Sequence, residues 1–143
     1  MTNLFSVRDF QVAIPPTWSY KCVVSFFERS SGGFSRSIVI TQDFIEAPCS
    51  AEQYASQQTV QLEALLPHFS LHERTVINVL GAAWPQVTFS WVPPAPPPLT
   101  QRQVFIVEGQ RAWTITGTTP RGELGSFEVT FREVVESFSM RTT

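Results

Sequence analysis

Apolar and polar residues alternate along most of this chain, and a strand with one buried face has this period of two. The segment from Phe10 to Ile14 shows the alternation, and Pro15-Pro16 ends it because proline cannot continue a hydrogen-bonded ladder. Comparable runs follow, separated by residues that form turns. The pattern predicts strands over residues 10–14, 22–27, 35–41, 69–80, 87–92, 99–107 and 111–118.

Glycine, serine and proline mark the connections between these strands. The cluster at residues 30–33 predicts a turn that joins the second and third strands into a hairpin. Gly81 and Pro85 separate the strands at 69–80 and 87–92, and the proline-rich segment 93–98 predicts a stiff connection.

Two other segments repeat apolar residues at helical spacing. Ser50 can cap the first helix, and Gln53 follows at the spacing of a capping box, while Pro67 ends the helix. The second helix is predicted over residues 126–139. The apolar faces are Ala51, Tyr54, Ala55, Leu62, Leu65 and Leu66 in the first helix, and Phe127, Phe131, Val134, Val135 and Phe138 in the second.

The order of these elements predicts an α+β fold: an antiparallel β-sheet with two amphipathic α-helices packed on it. Long strands joined by short turns favour antiparallel pairing, and the helices must bury their apolar faces on the sheet. A chain of 143 residues is expected to form a single domain over residues 1–143. We expect Val12 and Ile14 to lie in its core with the phenylalanines of the last helix.

The composition is poor in charge and rich in large apolar side chains. Charged residues make up 15% of the chain and 12 residues are Phe, which excludes an intrinsically disordered protein. A net charge of −2 argues against nucleic-acid binding, which requires a basic surplus. No run reaches the about 20 apolar residues of a membrane span, and the N-terminus does not resemble a secretory signal. We therefore expect a cytoplasmic protein without stable membrane insertion.

Few residues are suited to catalysis, and we predict no enzyme. The spacing of His68 and His72, in a segment that enters a strand, does not place them on one helix face as a zinc pair. Cys22 and Cys49 lack the spacing of a metal motif and are expected to be reduced thiols. The sequence thus predicts no catalytic residue, metal or cofactor, and weak hydrolysis by His68 or His72 is the least favoured alternative.

One polar residue interrupts the apolar face of the first helix. Gln58 lies four residues before Leu62 and eight before Leu66, so the three side chains point the same way. Small polar residues also alternate with apolar ones on single faces of two strands: Val23, Ser25 and Phe27, and Ser37, Val39 and Thr41. Two interpretations remain open, namely an ordinary exposed surface and a groove whose small side chains let an apolar helix approach closely.

A resemblance to a known family covers nearly the whole chain. The segments that carry it are Ile14-Pro15-Pro16-Thr17-Trp18, residues 37–43, residues 58–67, Phe69-Ser70-Leu71-His72 and residues 102–106. In their order and spacing these segments resemble the DcrB-type domains, which have a PsbP-like fold. More narrowly, they resemble the Eag-type chaperones of bacterial type VI secretion.

This resemblance implies a non-enzymatic function. Eag-type chaperones are usually homodimers that bind the N-terminal hydrophobic region of a PAAR-containing, Rhs-type effector and shield its transmembrane helices before export. The positions at which the resemblance places client-helix binding are Val23, Ser25, Ser37, Val39, Thr41, Gln58, Leu62, Leu66 and Gln103. The alternative function is that of a carrier for a small apolar ligand, with a cavity between sheet and helix.

Overall fold

The computed structural model describes residues 3–6, 10–29 and 33–140 and confirms the predicted α+β class. An antiparallel sheet carries two helices, α1 (Ala51–Leu65) and α2 (Leu124–Glu136). The strands are β1 (Asn3–Ser6), β2 (Gln11–Ile14), β3 (Cys22–Phe27), β4 (Ser37–Phe44), β5 (Ser70–Val79), β6 (Ala82–Trp91), β7 (Leu99–Glu108) and β8 (Arg111–Pro120).

Six of these strands form one antiparallel sheet in the order β3-β4-β8-β7-β6-β5. Hairpin turns at Gly81 and Gly109, both with positive φ, join β5 to β6 and β7 to β8. The proline-rich segment connects β6 to β7, which also pair, as expected for a stiff hairpin loop. Strands β1 and β2 form a separate two-stranded ribbon.

Helix α1 begins at the predicted capping box. The backbone nitrogen of Gln53 donates to Ser50 Oγ at 3.1 Å, and the backbone nitrogen of Ser50 donates to Gln53 Oε1 at 3.0 Å. The helix packs against β6 and β7, on the face that carries the odd-numbered residues of β7. Its core cluster consists of Tyr54, Ala55, Val87, Phe89, Phe105 and Ala112.

Helix α2 packs on the opposite face of the same sheet. Residues of β7 demonstrate this, because Phe105 belongs to the α1 cluster whereas its neighbours Val104 and Ile106 belong to the α2 cluster. The rest of the α2 cluster is Ile38, Val79, Ile115, Phe127, Phe131 and Val135. On its own face α1 lies mainly over β6 and β7 and reaches β8 and β4 only near Ala112 and Asp43, so β3 and most of β4 and β8 are left without a covering helix there.

Some expectations were wrong. Val12 is 45% exposed, because the ribbon lies apart from the six-stranded sheet and alternation alone does not reveal what covers a face. Pro85 does not separate two strands but lies inside β6, opposite Val76. The ladder between β6 and β7 begins only at Gln86, so Pro85 has a strand on one side and its missing N–H is tolerated as at a sheet edge.

Other differences concern the ends of elements. Strand β1 lies outside every segment that the sequence predicts, and β4 begins at Ser37 and runs on to Phe44. Helix α2 begins at Leu124 and ends at Glu136. Within the predicted turn at 30–33, residues 30–32 lie outside the described residues.

Gly117 sets the distance between α2 and β8, which suggests a test of the packing. A Cβ atom at this position would lie 2.9 Å from both Phe127 Cε2 and Phe131 Cδ2, closer than carbon atoms pack. We expect Gly117→Ala to lower the free energy of unfolding by about 1–3 kcal/mol, because the two rings must shift. Urea unfolding measures the effect. In the control Gly125→Ala, where the new Cβ atom meets nothing within 4 Å, stability should be unchanged or higher. Equal stability of the Gly117→Ala variant and the parent would contradict the packing.

Candidate functional site: an open sheet face beside α1

A surface of mainly uncharged side chains lies next to α1, on β3, β4 and β8 and on the adjoining part of β7, and Asp43 is the charged residue at its end. We call it the open face. It consists of the side chains of β3, β4, β8 and β7 that share the α1 side of the sheet outside the α1 core cluster. These residues are Val23, Ser25, Phe27, Ser37, Val39, Thr41, Gln101, Gln103, Thr114, Thr116 and Thr118.

The strand register brings the predicted sheet residues together. Val23 lies opposite Thr41, Ser25 lies opposite Val39, and Phe27 lies opposite Ser37. Through β8, the row continues to Gln103, because Val39 and Gln103 both lie opposite Thr116. Val23 is 55% and Phe27 69% exposed. All six sheet positions predicted for client binding therefore share one accessible face.

The predicted residues Gln58 and Leu62 of α1, and Leu66 at its C-cap, lie at the base of the helix beside this face. Gln58, Leu62 and Leu66 are half-buried, whereas Gln57 and Gln61 are exposed. Leu62 and Leu66 pack against the α1 core cluster, so they hold the helix on the sheet in addition to any contact with a ligand. Gln58 lies one turn after Tyr54, whose hydroxyl reaches β4, and this places Gln58 on the side of α1 that faces β8.

Amide and hydroxyl groups tie β7 to β8 across the open face. Gln101 Nε2 donates to Thr118 Oγ1 at 2.8 Å, and Gln103 Nε2 donates to Thr116 Oγ1 at 3.1 Å. Gln103 Oε1 is buried and has no hydrogen-bond partner among the described residues. A buried acceptor without a donor costs about 1–3 kcal/mol, so this atom is suited to receive a donor from a bound partner.

Strand β8 contributes a row of threonines to the open face that the sequence pattern does not predict as part of the site. Thr114, Thr116 and Thr118 alternate along the strand and form the middle of the open face. Their alternation resembles that of Ser37, Val39 and Thr41 and could have been noticed. What the sequence does not reveal is that β8 lies between β4 and β7, because the paired residues of β4 and β8 are 67 to 81 positions apart in the chain.

One end of the open face carries a charged and hydrogen-bonded group. Tyr54 Oη donates to Asp43 Oδ2 at 3.4 Å, and Lys21 Nζ lies 3.1 Å from Asp43 Oδ1. Burial, followed by the negative charge of Asp43, raises the pKa of Tyr54 to about 12. Tyr54 therefore stays neutral at physiological pH and anchors α1 to β4.

Strand β3 is the edge of the sheet next to the open face, and it exposes apolar side chains on both sides. Val23 and Phe27 lie on the open face, whereas Val24 and Phe26 lie on the other side and are also exposed. An edge strand presents unpaired N–H and C=O groups, and one that is also apolar favours pairing with another chain.

The histidines that the sequence singles out do not form a reactive pair. His68 and His72 are both exposed, and neither belongs to the open face. His72 Nε2 lies 2.7 Å from Ser90 Oγ, but Ser90 is only 1% exposed, so its hydroxyl is poorly placed to attack a substrate. This geometry gives no support to hydrolysis.

Comparison with known proteins connects this arrangement to a family. The sequence model of the DcrB family matches residues 11–137. The chain belongs to the DcrB family. Membership covers both helices and the whole six-stranded sheet, so the open face is part of the family's domain.

Individual relatives of this DcrB-family chain agree with that result. The chain is 27% identical to a Pseudomonas aeruginosa protein named Effector EagT6, over 99% of this chain and 98% of that protein, which confirms the resemblance to the Eag-type proteins. A crystal structure of a Pseudomonas aeruginosa protein of unknown function is similar, with a TM-score of 0.83, 26% identity and 99% of each chain covered. The solution structure of cyanobacterial PsbP from Synechocystis matches with a TM-score of 0.55 and 10% identity, covering 98% of this chain and 92% of that one, which shows the PsbP-like fold.

Within residues 3–6, 10–29 and 33–140, no helix is both long and apolar enough to cross a bilayer.

The pKa of Tyr54 leads to a prediction about alkaline pH. In the unfolded chain this tyrosine loses its proton near its ordinary pKa of 10.0, and in the folded protein near about 12. Its contribution to stability is therefore fully present below pH 10 and is lost as the pH rises towards 12. Absorbance near the tyrosinate band should show a component with a pKa of about 12 that Tyr54→Phe removes. If the phenylalanine variant keeps this component, Tyr54 does not have the raised pKa.

Proposed function

We propose that this protein is a chaperone for a type VI secretion effector and has no enzymatic role. Its client is the N-terminal hydrophobic region of a PAAR-containing, Rhs-type effector, which it shields in the cytoplasm of the secreting cell. The observation that carries this proposal is the uncharged open face beside α1. The relation to Effector EagT6 over nearly the whole chain supports the same function.

The dimensions of the open face suit a single helix. Strands β3 to β7 lie three strand spacings apart, which is about 14 Å, whereas a helix with its side chains is about 10–12 Å wide. Along the strand, Val23 to Phe27 span about 13 Å, which corresponds to between two and three helical turns. A client helix lying along the strands would thus contact Thr, Ser and Val side chains on both of its flanks.

The chemistry of the open face suits an apolar helix with small residues on one side. Burial of roughly 400 Å² of client surface at about 25 cal/mol per Å² favours binding by about 10 kcal/mol, before an association cost of several kcal/mol. Small side chains such as Ser25 and Ser37 let the client backbone approach closely. Gln58 and the unpartnered Gln103 Oε1 can then hydrogen-bond polar atoms of the client, as polar side chains do between membrane helices.

The structure gives less support to the alternative of a small-molecule carrier. Phe89 and Phe105 are fully buried and fill the space between α1 and the sheet. A groove of about 360 Å³ does lie beside α1, but its walls include Glu52, Arg74 and Gln86, which do not suit an apolar ligand. Co-purification of a lipid or metabolite in place of a protein client would nevertheless favour the carrier.

The client proposal is tested by co-expression with the N-terminal apolar region of such an effector. We expect the client to become soluble and to co-purify with this protein. Ser37→Leu should reduce the recovered complex by about tenfold, because a larger side chain blocks close approach of the helix, and Gln58→Ala should reduce it by removing a hydrogen-bonding group.

Two matched variants control for these changes. Gln57→Ala makes the same substitution on an exposed part of α1, and Thr130→Leu adds apolar bulk on exposed α2, so both should retain the complex. Circular dichroism checks that every variant is folded. Full client recovery with folded Ser37→Leu and Gln58→Ala variants would refute the open face as the binding surface.

We further propose that the protein acts as a homodimer formed through the β3 edge. A membrane-spanning helix is about 30 Å long, more than twice the length of the open face of one chain. Pairing of β3 with its copy in a second chain would place two open faces side by side. It would also cover apolar side chains such as Phe26, which is 54% exposed.

The dimer proposal predicts the mass of the protein in solution. Light scattering after size exclusion should give twice the mass of the chain, and Phe26→Lys should shift the protein to the monomer by placing a charge at the interface. Val60, on α1 and 64% exposed, provides the control, and Val60→Lys should remain dimeric. Monomers produced by Val60→Lys and not by Phe26→Lys would place the interface on α1 instead.

A further inference from the structure

A second recess lies on the opposite side of the sheet, where the client proposal assigns no role. It is a cleft of about 500 Å³ at the end of the sheet where α2 begins. It is separated from the open face by the sheet itself. The residues that line this cleft are Ser70, His72, Glu73, Thr88, Ser90, Thr100, Arg121 and Leu124.

The floor of this cleft is unusually polar for the inner part of a sheet. Ser70, Ser90, Thr100 and Thr119 lie opposite one another in a single row across β5, β6, β7 and β8. The next row contains Arg102, which is buried and donates from Nε to Thr88 Oγ1 at 2.9 Å and from Nη1 to Glu128 Oε1 at 3.0 Å. Packing alone does not require hydroxyl groups here, because a buried hydroxyl is favourable only when it has a hydrogen-bond partner.

Hydrogen bonds in this row leave donors for a ligand. Ser90 Oγ lies 2.7 Å from His72 Nε2 and 2.8 Å from Thr100 Oγ1, which forms a continuous chain from the surface to the floor. Thr119 neighbours Thr100 in the row, is 0% exposed, and its Oγ1 has no partner. When His72 donates to Ser90, and Ser90 donates to Thr100, the hydrogens of both threonine hydroxyls are free to be donated.

The surroundings of these hydroxyls favour an acceptor that carries negative charge. Arg121 lines the cleft and carries a positive charge, and Glu73 is the carboxylate among the lining residues. Arg102, in the next row, is paired with Glu128. Leu124, the first residue of α2, also lines the cleft, and the N-cap residue Glu123 makes no side-chain hydrogen bond to the helix. The positive end of the helix dipole adds to the field of Arg121, whereas the carboxylate of Glu123 opposes it.

We propose that this cleft binds a small ligand through a carboxylate or phosphate group. The anion accepts a hydrogen bond from Thr100, which lines the cleft, and pairs with Arg121, while the unpartnered hydroxyl of Thr119 lies beside Thr100 in the same row. This site is independent of the client-binding proposal, because its side chains lie on the other face of the sheet.

The test is a titration of the full chain with inorganic phosphate and, separately, with acetate, at constant pH and ionic strength. Amide resonances of Thr100, Thr119 and Leu124 should shift and saturate, with a Kd of about 1 mM or lower for at least one anion. Saturation with phosphate alone, or with acetate alone, identifies which group the cleft accepts. If neither phosphate nor acetate gives saturable shifts, the proposal is overturned.

Variants that each remove one charge show whether the anion binds in the cleft itself. Arg121→Gln should weaken binding by about fivefold or more, whereas Glu73→Gln should strengthen it by removing a repelling carboxylate. Arg111→Gln removes the same charge from an exposed residue at the other end of β8 and should change Kd by less than about twofold. Equal effects of Arg121→Gln and Arg111→Gln would show nonspecific attraction and refute the site. Client recovery with Arg121→Gln should equal that of the parent, so each proposal can fail without the other.

Discussion

The width of the sheet relative to its helices is the constraint on which the other features depend. Six strands extend over about 24 Å, whereas one helix covers about 10 Å. Because α1 and α2 pack on opposite faces, each face has one helix and neither face can be fully covered. The packing of Tyr54 and Ala55 on Phe105 fixes α1 over β6 and β7, and this position decides that β3, β4 and β8 remain open.

The two faces compensate for this incomplete cover in different ways. On the α2 side, large side chains such as Trp113 and Phe138 extend the apolar core beyond the helix itself. On the α1 side the uncovered strands carry Thr, Ser, Gln and Val, which neither require burial nor repel an apolar partner. The scarcity of charged residues in the chain is thus most evident on the open face. A face rich in Lys and Glu would be equally soluble, but it would require desolvation of those charges before an apolar helix could bind.

Local patterns predicted local structure well. The capping box at Ser50 and the strand at Cys22–Phe27 are where the sequence places them, because each depends on residues close in the chain. The faces of β3 and β4 that form part of the open face were likewise predictable from alternation, and antiparallel pairing brings them together. Alternation does not show which element, if any, packs on a given face of the sheet. Val12 looked like a core residue and is exposed, and Thr116 became part of the site only through the long-range pairing of β8 with β4.

Strand β7 shows how one sequence can serve two surfaces without conflict. Its odd-numbered residues bring Gln101 and Gln103 to the open face, whereas its even-numbered residues bring Thr100 to the cleft at the start of α2 and Arg102 to Glu128 of α2. Because neighbouring side chains point to opposite faces, a substitution at one position leaves the chemistry of the other face in place. The backbone is shared, however, and β7 is held on both sides by ladders to β6 and β8. A partner on the open face would therefore meet a rigid surface, and binding would require ordering of the client helix more than of the protein itself.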